Sequence, residues 1–100
     1  MSHTAPTIGR RVWFFANPEI VSDYSMAQLD PAQPFDAGVV FVHPDGRINV
    51  QVSDHTGYTY SFENVELVQD VPTEETAKTK EYWCEWMPYQ TKKHAEEASK

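Results

Sequence analysis

Hydrophobic and polar positions alternate most regularly between residues 47 and 53. Ile48, Val50 and Val52 fall on one side, and Arg47, Asn49, Gln51 and Ser53 on the other. A period of two predicts a strand with one buried face, in which a register slip of one residue would expose every valine. The preceding run, residues 38–43, is apolar on both faces and predicts a strand buried between two layers or at the crossing of a small barrel. Pro44-Asp45-Gly46 lies between the two and supplies a fixed φ, a short acceptor side chain and a residue tolerant of positive φ, so the pair reads as a hairpin. Asp54-His55-Thr56-Gly57 marks a second turn, after which Tyr58, Tyr60 and Phe62 share one face of a further strand. Upstream, residues 10–15 are aromatic and β-branched, with Val12 and Phe14 on one face and Trp13 and Phe15 on the other. Glu63-Asn64 interrupts the alternation, and Val65-Glu66-Leu67-Val68 then predicts a short fifth strand.

Two stretches do not follow a strand period. Residues 16–35 hold Pro18, Pro31 and Pro34, each poor in a sheet interior, and form a connection of exceptional length for a small domain. Such loops are often functional or mobile. Within this loop, Asn17 before Pro18 matches a helix cap and first helical position, so residues 18–23 predict one helical turn, sealed down by Ile20 and Tyr24. Pro72-Thr73-Glu74-Glu75 predicts another, capped by Thr73. Tyr82, Trp83, Cys84, Trp86 and Tyr89 crowd a second aromatic segment, whose exposure to water would be costly, so it is expected to pack back on the sheet.

The order of strand, long loop, strand, hairpin, strand, hairpin, strand and short strand predicts a mainly β fold. The specific expectation is a small five-stranded SH3-like β-barrel with a long first loop and a C-terminal aromatic clasp. Residues 1–8 read as a flexible N-terminal arm, 9–90 as the single barrel domain and 91–100 as a flexible tail, in which only alanines are apolar after Gln90.

Composition narrows the function classes. At 100 residues, 40% hydrophobic and 13% aromatic, the chain has material for one core and no more. No apolar stretch approaches the roughly 20 residues of a membrane-spanning helix, and the first residues lack a signal-peptide pattern. The lone Cys84 sits among aromatics, as a packed thiol in a reducing compartment would. A net charge of -7 is concentrated before residue 71, where nine acidic residues face only Arg10, Arg11 and Arg47. Such a surface repels phosphate backbones and favours cationic partners.

Candidate chemistry is sparse. The four histidines and Cys84 show no zinc spacing. His43 and Asp45 should lie at one end of a strand and Asp54 and His55 at the other, about 20 Å away at the rise of a strand. Cys84, His55 and Asp54 could be drawn as nucleophile, base and orienter, but no motif places Cys84 at an elbow or helix start. No catalytic residue, metal ligand or cofactor is therefore expected. Trp13, Phe15, Tyr58 and Tyr60 are candidates for an aromatic cage around a methylated cation, although alternation allows only one face of each strand to contribute. Arg10-Arg11 beside Trp13 reads more readily as local ion pairing than as a nucleic-acid patch.

Four segments carry a resemblance: Thr7-Ile8-Gly9-Arg10-Arg11-Val12-Trp13-Phe14, Pro34-Phe35-Asp36-Ala37-Gly38-Val39, Val65-Glu66-Leu67-Val68-Gln69 and Glu85-Trp86-Met87-Pro88-Tyr89-Gln90. Together they resemble an uncharacterised family of small tailed-bacteriophage proteins, over residues 7–90. The Trp-Met-Pro-Tyr-Gln block is the most specific. The resemblance implies a phage or prophage protein in the host bacterial cytoplasm, either free or virion-associated, and it transfers no active site.

The sequence thus leads to the expectation of a non-enzymatic module that binds a phage or host protein, with self-association through a sheet edge as one form. Trp13, Phe15, Tyr24, Tyr58, Tyr60, Trp83, Trp86 and Tyr89 are the candidate contact residues. The alternatives are a nucleic-acid-linked role, as a binding barrel or an acidic mimic of DNA, and a small cysteine- or histidine-dependent hydrolase.

Overall fold

The computed structural model describes residues 4–87. Its centre is a five-stranded antiparallel sheet: β1 (Arg11–Ala16), β2 (Phe35–Val42), β3 (Ile48–Ser53), β4 (Thr59–Val65) and β5 (Tyr82–Trp86), in the order β4-β3-β2-β1-β5. The sheet curls into a half-barrel. Two short helices accompany it, α1 (Pro18–Asp23) and α2 (Thr73–Thr76). Among the described residues no helix is long and apolar enough to cross a membrane.

The predicted alternation of β3 is realised: Ile48, Val50 and Val52 are buried, and Gln51 is exposed. The Pro44-Asp45-Gly46 turn closes the β2–β3 hairpin, with His43 N–H donating to the Arg47 carbonyl at 2.8 Å and Arg47 N–H to Asp45 Oδ1 at 2.9 Å. Gly46 has φ +92°, a conformation that other residues adopt only with strain. On β1, Val12 and Phe14 face the core and Trp13 and Phe15 the opposite side, as expected from their spacing. Phe14 sits centrally, its ring 4.6 Å from that of Phe62 and 5.9 Å from that of Tyr82.

Three expectations about the strands require correction. The fifth strand is not residues 65–68 but Tyr82–Trp86, which pairs with β1 through Val12↔Trp86, Phe14↔Cys84 and Ala16↔Tyr82. The aromatic segment is therefore part of the sheet rather than a clasp laid upon it. Its own alternation explains the placement, since Tyr82, Cys84 and Trp86 pack on the core while Trp83 and Glu85 lie on the other face, where Trp83 is buried against Phe15. Residues 66–68 instead run beside β5 in a parallel sense, with Cys84 N–H donating to the Glu66 carbonyl at 2.9 Å and Val68 N–H to the Cys84 carbonyl at 2.8 Å. This covers the middle of the edge of β5.

The second correction concerns Glu63-Asn64, which does not end β4. The register passes from Val50↔Phe62 to Ile48↔Val65, so the pair forms a bulge, with Asn64 at φ 55° and its N–H held by Asn49 Oδ1 at 3.0 Å. The extra residue restores Val65 to the core face. The third is that β2 is not buried on both faces. A bulge at Val40 leaves Val40 and Phe41 exposed in succession before Val42 returns to pair with Ile48.

The α1 cap forms as predicted, Asn17 Oδ1 accepting from Ile20 N–H at 2.9 Å and Pro18 opening the helix. Ile20 is buried, whereas Tyr24 remains 45% exposed. Thr73 does not cap α2: Pro72 holds that position, and Thr73 Oγ1 donates to the Glu85 carboxylate. At the N-terminal side, Thr4 and the Gln69 side chain exchange two hydrogen bonds of 2.9 and 3.0 Å.

Candidate interaction surface

The long β1–β2 loop is ordered by two adjacent residues of the β3–β4 turn. Asp54 is buried, and its carboxylate accepts from the N–H groups of Ala27 (3.0 Å), Thr56 (2.9 Å) and Tyr58 (3.1 Å), and from the hydroxyls of Thr56 (2.9 Å) and Tyr60 (3.1 Å). The turn requires a short acceptor at this position, and Asp54 supplies one oxygen to its own turn and the other to the loop. Burial alone would raise its pKa, but the hydrogen bonds from Ala27, Thr56 and Tyr60 outweigh it and hold the carboxyl far below the ordinary range. The Tyr60 hydroxyl is shifted in the opposite direction, by burial first and then by donation to Asp54 and its charge.

His55 completes the staple. Its N–H donates to the Ala27 carbonyl at 2.9 Å, its Nδ1 lies 2.9 Å from Leu29 N–H and its Nε2 lies 3.2 Å from the Pro34 carbonyl. A backbone donor at one nitrogen and a carbonyl at the other assign Nδ1 as acceptor and Nε2–H as donor. The imidazole also packs on Phe35, the ring centroids 4.9 Å apart. Met26 anchors the loop by its burial in the core, and Asp30 closes the loop's own turn by accepting from Ala32 N–H and the Gln33 amide, which lowers its pKa. The long connection is therefore tied at several points to the sheet.

Replacing His55 with alanine is expected to leave the sheet folded, to cost about 1 kcal/mol and to speed protease cleavage within residues 27–34. Limited proteolysis with site mapping checks this. Unchanged cleavage would mean that Asp54 and Ala27 hold the loop without the imidazole.

This frame displays large apolar side chains. Leu29 is 74% exposed and Tyr58 73% exposed, although the backbone of each is pinned by His55 and Asp54 respectively. Tyr24 lies nearby on Phe62, ring centroids 4.7 Å apart, and the Ser25 carbonyl stands 3.3 Å from the Tyr60 hydroxyl. The loop and turn carry Glu19, Asp23, Asp30 and Asp54, and no lysine or arginine occurs from residue 12 to 46 or from 48 to 77.

The other candidate residues are dispersed. Trp13 and Phe15 lie on the outer face of β1, where Phe15 stacks on the buried Trp83 at 5.3 Å and Trp13 meets Phe15 edge-on at 6.2 Å. Trp83 Nε1 donates to Glu85 at 2.7 Å. Trp86 belongs to the core, and Tyr89 lies outside the described residues. Trp13 and Phe15 do not meet Tyr58 and Tyr60: two strands separate β1 from β4, and Tyr60 packs on the core face. The aromatic cage is not assembled.

The drawn Cys84, His55 and Asp54 triad is not assembled either. Both imidazole nitrogens are occupied by backbone groups, and Cys84 is fully buried on β5, where burial and then the nearby Glu85 charge push its thiol pKa up. Among the described residues no group of three His, Cys, Asp or Glu side chains is placed to hold a metal ion. Arg11 pairs with Asp36 and lies over Gly38, where an added Cβ would come within 2.6 Å of the guanidinium. Arg47 faces Asp45, and Lys80 pairs with Glu66 at 2.8 Å. Leu29, Asp54 and His55 are the residues that sequence reasoning missed as parts of one surface. The turn around Asp54 was legible, but its loop partners are 21–27 positions away. No family model, curated protein or solved structure matches this chain.

Proposed function

We propose that this chain is a small phage or prophage protein that works in the host cytoplasm as a non-enzymatic protein-interaction module. Its SH3-like half-barrel would present the β1–β2 loop and the β3–β4 turn to a partner. The observation that carries the reading is the exposure of Leu29 and Tyr58 on a frame fixed by Asp54 and His55. Exposed apolar side chains on a pre-ordered backbone bind with little further loss of entropy, and aromatic residues are common binding hot spots. The order β4-β3-β2-β1-β5, with the first and last strands paired, supports the SH3-like description. The phage origin rests on the resemblance of the four segments. Direct binding of nucleic acid is the weaker reading, because Arg11, Arg47 and Lys80 each face a carboxylate.

The test is recovery of the tagged chain and of a Leu29→Asp, Tyr58→Asp double variant from phage-infected or prophage-bearing cells. The expected result is one stoichiometric protein partner with the parent chain and its loss with the variant, whose far-ultraviolet spectrum stays unchanged. Retention of the partner by a folded variant would overturn the assignment of this surface.

A further inference from the structure

Resting on that reading, we infer that the occupant of the loop surface is a cationic protein segment carrying an aliphatic or aromatic side chain. Leu29 and Tyr58 offer two large apolar contacts beside the β3–β4 turn, half-exposed Tyr24 packs on Phe62 next to Ser25, whose carbonyl meets Tyr60, and every charged side chain of that loop and turn is a carboxylate. Glu19 and Asp23 are exposed on α1, Asp23 directly before Tyr24, and Asp30 directly follows Leu29. An apolar centre with a charged rim takes its affinity from the centre and its partner choice and association rate from the rim.

The same rim disfavours the other occupants. A second copy of the chain placing this end against its own would oppose two sets of carboxylates on a molecule of net charge -7. Anionic lipid and nucleic-acid phosphates meet the same repulsion. A lysine- or arginine-bearing segment meets attraction, and its apolar side chain would cover Leu29 and Tyr58. The second exposed apolar pair, Val40 and Phe41, lies towards the opposite end of the sheet, beside the 44–46 turn, and serves as an internal control.

A display library of random peptides panned on the full chain provides the probe, followed by synthesis of the enriched sequences and of versions with glutamate replacing lysine and arginine. The expected result is enrichment of peptides that combine basic residues with leucine or an aromatic, and that shift amide resonances in residues 24–30 and 54–60. Leu29→Asp with Tyr58→Asp should weaken them about tenfold or more. Glu19→Gln with Asp23→Asn should weaken them several-fold, mainly through slower association that added salt reproduces, and Val40→Ser with Phe41→Ser should leave binding unchanged. Peptides that bind this end without basic residues, or equally well after glutamate replacement, would overturn the cationic occupant while leaving the interaction surface standing. No enriched peptide, or resonance shifts confined to other regions of the chain, would overturn both.

Discussion

Replacing Phe14 with alanine should lower the unfolding free energy by about 3–5 kcal/mol, enough to consume much of the roughly 5–15 kcal/mol that holds a domain of this size together. Phe14 is fully buried and reaches four strands: it belongs to β1, stands opposite Cys84 of β5, and its ring contacts those of Phe35 on β2 and Phe62 on β4. These neighbours are backbone-bonded strands that cannot collapse far into the space the ring would leave, so the cavity cost adds to the lost transfer energy. Chemical denaturation of the variant measures it. Trp13→Ala, one position away on the outer face, should cost only about 1–2 kcal/mol, because half-buried Trp13 leaves no enclosed void. Equal costs at the two positions would contradict the facing of β1.

The second large effect is expected at Asp54. Asparagine in its place presents an N–H₂ group where either the turn or the loop requires an acceptor, so the backbone donor at Ala27, or those at Thr56 and Tyr58, loses its partner and faces an N–H₂ group instead. The midpoint of thermal unfolding should fall by roughly 10 °C, and amide exchange should accelerate in the β1–β2 loop before the sheet opens. The pH dependence follows from the direction of the shift. A carboxyl whose folded pKa lies below its unfolded value contributes stability above the ordinary carboxylate range, and that contribution is lost as the pH falls towards the folded pKa. The parent chain should therefore lose stability on acidification more steeply than Asp54→Asn, whose side chain does not titrate. Parallel slopes from near neutrality to pH about 2 would remove Asp54 as the acid-sensitive staple.

Legibility differed between elements for physical reasons. The β2–β3 hairpin, the facing of β1 and β3, and the Asn17–Pro18 helix start depend on side-chain period and on bonds between residues close in sequence, so the amino-acid order displays them. The two bulges were harder to read. Val40-Phe41 appears as continued burial and Glu63-Asn64 as the end of a strand, because a single inserted residue changes the register only relative to a partner strand. The candidate surface was partly legible. Tyr24 and Tyr58 stand out as aromatics and residues 16–35 as a long loop, but Leu29 in isolation is an unremarkable aliphatic, and Trp13, Phe15, Trp83 and Trp86 serve the sheet and its two faces.

By itself the sequence determined a one-core, mainly β chain of acidic surface, with the faces of β1 and β3, the hairpin turns and the first helical cap, since each of these follows from local period, backbone preference or summed charge. Only the tertiary structure decided that Tyr82–Trp86 is the last strand, paired with β1, and that residues 66–68 lie along its far edge. It likewise decided that Asp54 and His55 hold the long loop in place and bring Leu29 and Tyr58 to one end. Those contacts join residues far apart in sequence, and their partners are backbone N–H and carbonyl groups. Every residue except proline carries both groups, so their pairing leaves no mark on the order of side chains.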